Sequence, residues 1–209
     1  AFSERTGLFA KHSFGDEHRF SVVAQIDTRR FGAPSYLPVA DVVAGRRART
    51  AAINTSDGGD VEHAQAYLTY ASTLDDHLEI AARVYAISDE RSRYADFGAG
   101  QSVTFTEGTT LGLAADVEHQ WSTFLLAGGV ELRFDDTKRR AQRSLRRVLG
   151  AVTSDRDAEA TQTSLYVEAQ WAPVDSFKAT LGLRWDQFET DVDNHFNTTA
   201  SGSGKGDHT

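Results

Sequence analysis

The segment from Ser164 to Asp186, SLYVEAQWAPVDSFKATLGLRWD, alternates apolar and polar residues on both sides of one short connection. Before it, Leu165, Val167, Ala169 and Trp171 interleave with Tyr166, Glu168 and Gln170. After Ala172–Ser176, Phe177, Ala179, Leu181, Leu183 and Trp185 interleave with Lys178, Thr180, Gly182, Arg184 and Asp186. Successive side chains of a strand point to opposite faces, so each arm has one apolar and one charged face. A chain written this way folds as an antiparallel hairpin between two unlike environments. Trp171 and Phe177 flank the connection, where the turn of a membrane-spanning hairpin would meet the lipid–water interface.

Three more hairpins follow the same plan. Thr6, Leu8 and Ala10 share one face of a first strand that ends near Phe14, and Gly15-Asp16 makes a tight turn. The return places Phe20, Val22, Ala24 and Ile26 opposite Arg19, Ser21, Val23, Gln25, Asp27 and Arg29. A second pair sets Ala64, Ala66, Leu68 and Tyr70 before a turn at Asp75-Asp76, and Leu78, Ile80, Ala82 and Val84 after it. The third runs Leu111, Leu113, Ala115, Val117 and His119, turns at Trp121–Thr123, and returns with Phe124, Leu126, Gly128, Val130, Leu132 and Phe134. The spacing thus predicts an all-β chain of about eight long strands in four hairpins. Short turns fall at Gly15, Asp75, Ser122 and Val174. Long loops are expected at Arg30–Val61, Asp89–Gly100 and Lys138–Ala160.

Alternation alone also suits a soluble sandwich or binding module, whose inner faces are apolar. Three features favour a membrane wall. Several runs are far longer than the five or six residues usual in soluble strands, and about 9–11 tilted residues cross a bilayer. Short turns alternate with long connections, as in outer-membrane barrels. Phe14, Trp121, Phe124, Trp171 and Phe177 gather beside the short turns. A complete small barrel or passive porin is the remaining membrane alternative.

Composition narrows the chemistry. With 22 basic and 30 acidic residues, the formal net charge of −8 argues against a nucleic-acid partner. No apolar run is long enough for a transmembrane helix. There is no cysteine for a disulfide or a thiolate metal site. The histidines form no metal-ligand motif, and no phosphate-binding loop, dinucleotide fingerprint or nucleophile elbow is present. No catalytic, cofactor or metal site is therefore expected. The lack of methionine and the tail SGSGKGDHT, which looks flexible and completes nothing, suggest a piece of a longer protein.

The last hairpin resembles one found in TonB-dependent outer-membrane receptors. There, a strand ending in an acidic-x-Trp pattern meets a short turn and a strand reading L-x-L-G-L-R-[WY]-D. Here the matching residues are Glu168, Gln170 and Trp171, then Leu181, Gly182, Leu183, Arg184, Trp185 and Asp186. The resemblance implies that residues 1–209 are part of a larger barrel of the 22-stranded type, in the outer membrane of a Gram-negative bacterium. The plug domain and TonB-binding segment of such receptors have no counterpart in the sequence. The complete receptor would take up a scarce small molecule, such as a ferric siderophore, with energy relayed by the TonB complex through the plug.

On this basis Asp27, Arg29, Glu79, Arg83, Asp116, Glu118, Glu131, Arg133, Glu168, Arg184 and Asp186 are expected to face the lumen. An Arg turned toward lipid at mid-bilayer costs about 2–4 kcal/mol, so the charged face must meet water or a plug. Phe31, Tyr36, Arg46, Arg47 and Arg49 are the outer-loop candidates for ligand contact. The basic run Lys138–Arg147 is expected to be a loop that pairs with lipopolysaccharide phosphates, attracts an anionic ligand or is simply solvated.

Overall fold

A computed structural model describes residues 3–15, 17–33, 39, 43–45, 56–96, 100–196 and 202–208. They form one antiparallel sheet in which every strand pairs with its sequence neighbour. The strands are β1 (Ser3–Phe14), β2 (His18–Gly32), β3 (Gly58–Asp75), β4 (Leu78–Asp96), β5 (Gln101–Gln120), β6 (Phe124–Leu145), β7 (Val148–Val174), β8 (Phe177–Asn194) and β9 (Gly202–His208). The sheet is not closed, since β1 and β9 lie at opposite edges.

All four expected hairpins form, with their short turns where the punctuation placed them. At the first, Gly15 takes φ +88, and a Cβ there would lie 2.0 Å from the His18 carbonyl oxygen. Only glycine makes that turn without strain.

The long connections are shorter than expected. β4 continues to Asp96 and β5 resumes at Gln101. β6 continues through the basic run to Leu145, and β7 begins at Val148 after a two-residue turn. In that turn Arg146 and Arg147 both have positive φ, the backbone that a two-residue hairpin needs to match strand twist. The segment Lys138–Ala160 is therefore a hairpin rather than a loop. Within the tail, Gly202–His208 pairs with β8 as a ninth strand. Strands reach 27 residues in β7, longer than a bilayer requires. The connection after β2 remains long, running from Ala33 to Asp57.

Register then sorts the side chains. The row Val22, Leu68, Val84, Leu113, Leu132 is apolar on one face across five strands. On that face Leu8, Ile26, Leu111, Leu165 and Leu183 are exposed. The apolar belt runs from Phe124 to Phe134 along β6, which in tilted strands matches an apolar band of about 25 Å. Its short-turn border is aromatic. Phe14 stacks on Phe20 at 5.3 Å, Trp121 meets Phe124 at 5.6 Å, and Trp171 meets Phe177 edge-on at 6.0 Å.

Candidate functional site

The face opposite the belt is polar, and its centre is built around two tyrosines. Tyr85 of β4 lies over Gly112, its partner on β5, and its hydroxyl donates to Glu131 Oε1 of β6 at 2.9 Å. Tyr166 of β7 lies over Gly129, its partner on β6, and donates to Asp116 Oδ1 of β5 at 2.8 Å. The two rings thus reach toward each other across the same pair of strands. Both glycines are required by close approach. A Cβ on Gly112 would lie 2.0 Å from Tyr85 Cζ, and one on Gly129 would lie 2.5 Å from Tyr166 Cε1 and 2.9 Å from the Ala115 carbonyl oxygen. Between the rings Ala114 is buried, and Tyr85 is itself only 8% exposed. Among the described apolar residues, only Val103, at the far end of β5, is equally withdrawn from solvent.

Polar contacts spread outward from this centre. Arg83 stands 5.5 Å from the Tyr85 ring centroid and 3.8 Å from Glu131. Tyr67 stacks on Tyr85 at 5.6 Å and donates to Gln65, which donates on to Gln25 at 2.8 Å. Arg133 pairs with Asp135, and Arg184 with Asp186, each at 2.8 Å. Toward the short turns the face becomes acidic. Glu79 sits opposite Glu118, and Glu168 follows two strands on.

Beyond the belt, in the direction of Gly32 and Leu145, the two faces carry opposite charge. One register row of the polar face reads Arg5, Arg29, Val61, Arg91, Thr106, Arg139, Arg156 and Asn194. The next row on the other face reads Glu62, Glu90, Glu107, Lys138, Asp157 and Asp193. Alternation therefore divides the basic run. Arg139 and Arg143 join the polar face, whereas Lys138 and Arg140 join the acidic face, where Arg140 pairs with Asp155 at 3.4 Å.

The outer end of the belt side is closed by a polar knot. Gln101, 5% exposed, donates to Ser56 Oγ at 2.9 Å and Asp57 Oδ1 at 2.8 Å. Its carbonyl accepts from Ser144 Oγ at 2.9 Å and the Arg147 backbone N–H at 3.0 Å. Arg147 also donates to the Ser56 carbonyl and lies 4.8 Å over Tyr94. One glutamine thus ties the end of the long connection to the β6–β7 turn.

The register places Asp27, Arg29, Glu79, Arg83, Asp116, Glu118, Glu131, Arg133, Glu168, Arg184 and Asp186 together on the polar face. Phe31 also falls on that face, at the end of β2 opposite Gly59. Tyr36, Arg46, Arg47 and Arg49 lie outside the described residues. The tyrosine pillars and the row of arginines were not singled out from sequence. Gly112 and Gly129 on an otherwise polar face were the available signal for the pillars. Among the described residues, no group of three or more His, Asp or Glu is placed to hold a metal ion.

A family model described as "TonB dependent receptor-like, beta-barrel" matches residues 7–209. The chain belongs to the TonB-dependent receptor family. Solved structures agree at the level of fold. The ferric citrate transporter FecA in its unliganded form superposes with a TM-score of 0.81 at 16% identity, covering 98% of this chain and 32% of that one. The ferric-catecholate import receptor Fiu from E. coli K12, in its closed form, gives 0.75 at 12% identity, covering 99% and 40%. The ferric yersiniabactin uptake receptor FyuA from Yersinia pestis gives 0.72 at 14% identity, covering 92% and 31%. This receptor barrel segment therefore spans about a third of the length of such structures. Among curated proteins, no sequence matches it.

Proposed function

We propose that the chain is part of the wall of an outer-membrane receptor that imports a scarce small molecule, such as a ferric siderophore, with energy relayed through TonB. The observation that carries this is the pairing of two unlike faces on one meander of long strands. An exposed apolar belt with an aromatic border suits lipid, and a hydrogen-bonded, charged face suits a filled interior. Membership of the family and likeness to a ferric citrate transporter and a ferric yersiniabactin receptor support the ligand class.

In this scheme the short turns lie in the periplasm and the long strand extensions stand outside a Gram-negative cell. The belt meets outer-membrane lipid, with lipopolysaccharide as the neighbour in the outer leaflet. Residues 1–209 form a partial barrel domain, and the plug and TonB-engaging segment belong to other parts of the receptor. The charged residues of the polar face, from Asp27 and Arg29 on β2 to Arg184 and Asp186 on β8, then line the lumen and hold the plug. Phe31, Tyr36, Arg46, Arg47 and Arg49 contribute to ligand capture at the mouth. The wall itself makes and breaks no bonds.

The test is uptake of radioactive iron, supplied as a panel of ferric siderophores, by cells expressing the whole receptor with and without TonB. The expected outcome is accumulation of at least one chelate that is lost without TonB. Uptake that is indifferent to TonB would identify a passive channel and sink the proposal.

A further inference from the structure

We propose that the short-turn border of the apolar belt binds the headgroup of phosphatidylethanolamine, a phospholipid that joins one phosphate to one primary ammonium. The inference rests on the membrane assignment above and names the lipid that the wall meets at its periplasmic edge.

The chain has seven histidines, and four of them lie at this border. His12 stands two residues before the end of β1, and His18 opens β2. His77 occupies the β3–β4 turn, and His119 is the penultimate residue of β5. By register, His12, His18 and His119 project from the same face as the belt. Their rings join its aromatic border. His12 lies 5.8 Å from Phe14, His18 6.2 Å from Tyr70 and His119 4.1 Å from Trp121, with His77 6.4 Å from His119. The His18 ring is held through Nδ1, which lies 2.8 Å from Ser72 Oγ and 3.1 Å from the Tyr70 hydroxyl. Two hydroxyl donors on Nδ1 favour the tautomer with its proton on Nε2, which can then donate to an acceptor outside the protein.

Carboxylates stand at the turns themselves. Glu17 precedes His18, Asp75 and Asp76 precede His77, and Asp175 lies two residues before Phe177. All four are exposed, and none makes an ion pair with a described residue. Asp75 Oδ1 accepts the backbone N–H of His77 at 2.8 Å, which fixes the turn and leaves Asp76 beside the imidazole pair. A turn carboxylate next to an imidazole on an aromatic border thus occurs at two hairpins, as Glu17–His18 and as Asp76–His77.

This arrangement discriminates among phospholipid headgroups. Imidazole N–H groups suit a phosphate, and aromatic rings settle at headgroup depth. A phosphatidylglycerol headgroup offers the phosphate but no cation, so the turn carboxylates repel it. Phosphatidylcholine carries a cation whose methyl groups leave no N–H to donate. An ethanolamine ammonium has three N–H donors, and its hydrogen bonds to carboxylates are charge-assisted. Phosphatidylethanolamine alone of the three satisfies both halves of the surface.

The test reconstitutes the whole receptor in phosphatidylcholine bilayers. To these is added phosphatidylethanolamine, phosphatidylglycerol or phosphatidylcholine, each brominated near the headgroup end of one acyl chain. Bromine quenches tryptophan on contact, so the quenching missing from a Trp121→Phe/Trp171→Phe variant reports occupancy of the border. Phosphatidylethanolamine is expected to occupy it at least about fivefold more favourably than either other lipid. The Glu17→Gln/Asp75→Asn/Asp76→Asn variant should lose that preference and admit more phosphatidylglycerol than the parent. If that variant fails to fold, Asp76→Asn alone should reduce the preference by about half or more.

Equal occupancy by the three lipids, a preference for phosphatidylglycerol, or a preference unchanged in the carboxamide variants would overturn the assignment. Quenching separates the two levels. Equal quenching by all three lipids ends the headgroup proposal and leaves the membrane wall standing, whereas no quenching at Trp121 and Trp171 by any of them ends both.

Discussion

The strands are written in two ways, one within the apolar belt and another beyond it. On β6, Phe124–Phe134 alternates residues that face an apolar medium with residues that face a polar one. From Asp136 to Gln142 the same strand continues, still paired on both sides, but both of its faces are polar. The backbone ladder is common to the two regions, and only the surroundings differ. On the proposed membrane reading, lipid dictates the sequence pattern within the belt, whereas hydrogen bonding alone is enough to continue the strand outside it. The extensions are held by the ladder and by the Gln101 knot, and they are free to carry arginine on one face and carboxylate on the other.

The sharpest way to break this comparison is to place one charge in each region. Val130→Arg puts a guanidinium on the apolar face within the belt and is expected to cost about 2–4 kcal/mol. Thr109→Arg puts the same group on the same face of β5, at the level of Asp136 just past the belt, and should cost no more than about 1 kcal/mol. Urea titration of the whole receptor refolded into lipid bilayers measures both. Equal costs would mean that the belt does not face lipid.

A second pair compares tight and open positions on the polar face. Gly129→Ala must displace Tyr166 or the β5 backbone, because its Cβ would lie 2.9 Å from the Ala115 carbonyl oxygen. Overpacking of this kind costs about 1–3 kcal/mol. Gly182→Ala, whose Cβ meets nothing nearer than the Val167 carbonyl oxygen at 3.8 Å, should be tolerated. The same titration checks both, and an undisturbed Gly129→Ala would show that Tyr166 does not rest on the wall as described.

A somewhat smaller, local effect is expected at the knot. Gln101→Leu removes the partner of Asp57, Ser144 and the Arg147 N–H, and each buried polar group left unsatisfied costs about 1–3 kcal/mol. Because Ser56 and Asp57 lie at the end of the connection before β3, outside the ladder, the loss should appear mainly as local opening rather than global unfolding. Hydrogen exchange should quicken at residues 56–58 and 144–148 and stay unchanged in the belt. Faster exchange across the belt would show that the two regions unfold as one unit.

The same contrast explains what could be read from the sequence. Residues such as Leu181, Leu183 and Trp185 declare a strand and its apolar face together, so the hairpins were legible, as was the alternation that puts Asp27 to Asp186 on one polar face. Lys138–Arg147 declares only charge. Its pairing with β7 depends on partners such as Asp155, Arg156 and Asp157, and no local pattern reports them. Gly202–His208 is similar, since its glycines lack the side chains from which a strand is recognised, yet β8 offers it a free edge. The arginine row was least visible of all. It exists only once register aligns strands whose members are as distant as Arg29 and Arg156.

The smallest expected effect tests what holds the extensions together. Arg140 and Asp155 sit directly opposite each other and pair at 3.4 Å, with side chains 52% and 32% exposed. Their attraction is screened by water and salt, and ordering two flexible side chains offsets much of it. Arg140→Ala and Asp155→Ala, combined in a double-mutant cycle, should therefore give a coupling of about 0.2–1 kcal/mol that fades as salt is raised. A coupling well above 1 kcal/mol would mean that the outward charges, and not the ladder with its glutamine knot, keep β6 and β7 paired beyond the belt. Segregation of charge between the faces would then be a requirement for folding. A weak coupling leaves the ladder as the structural agent and the charges on either face free to vary without loss of the fold.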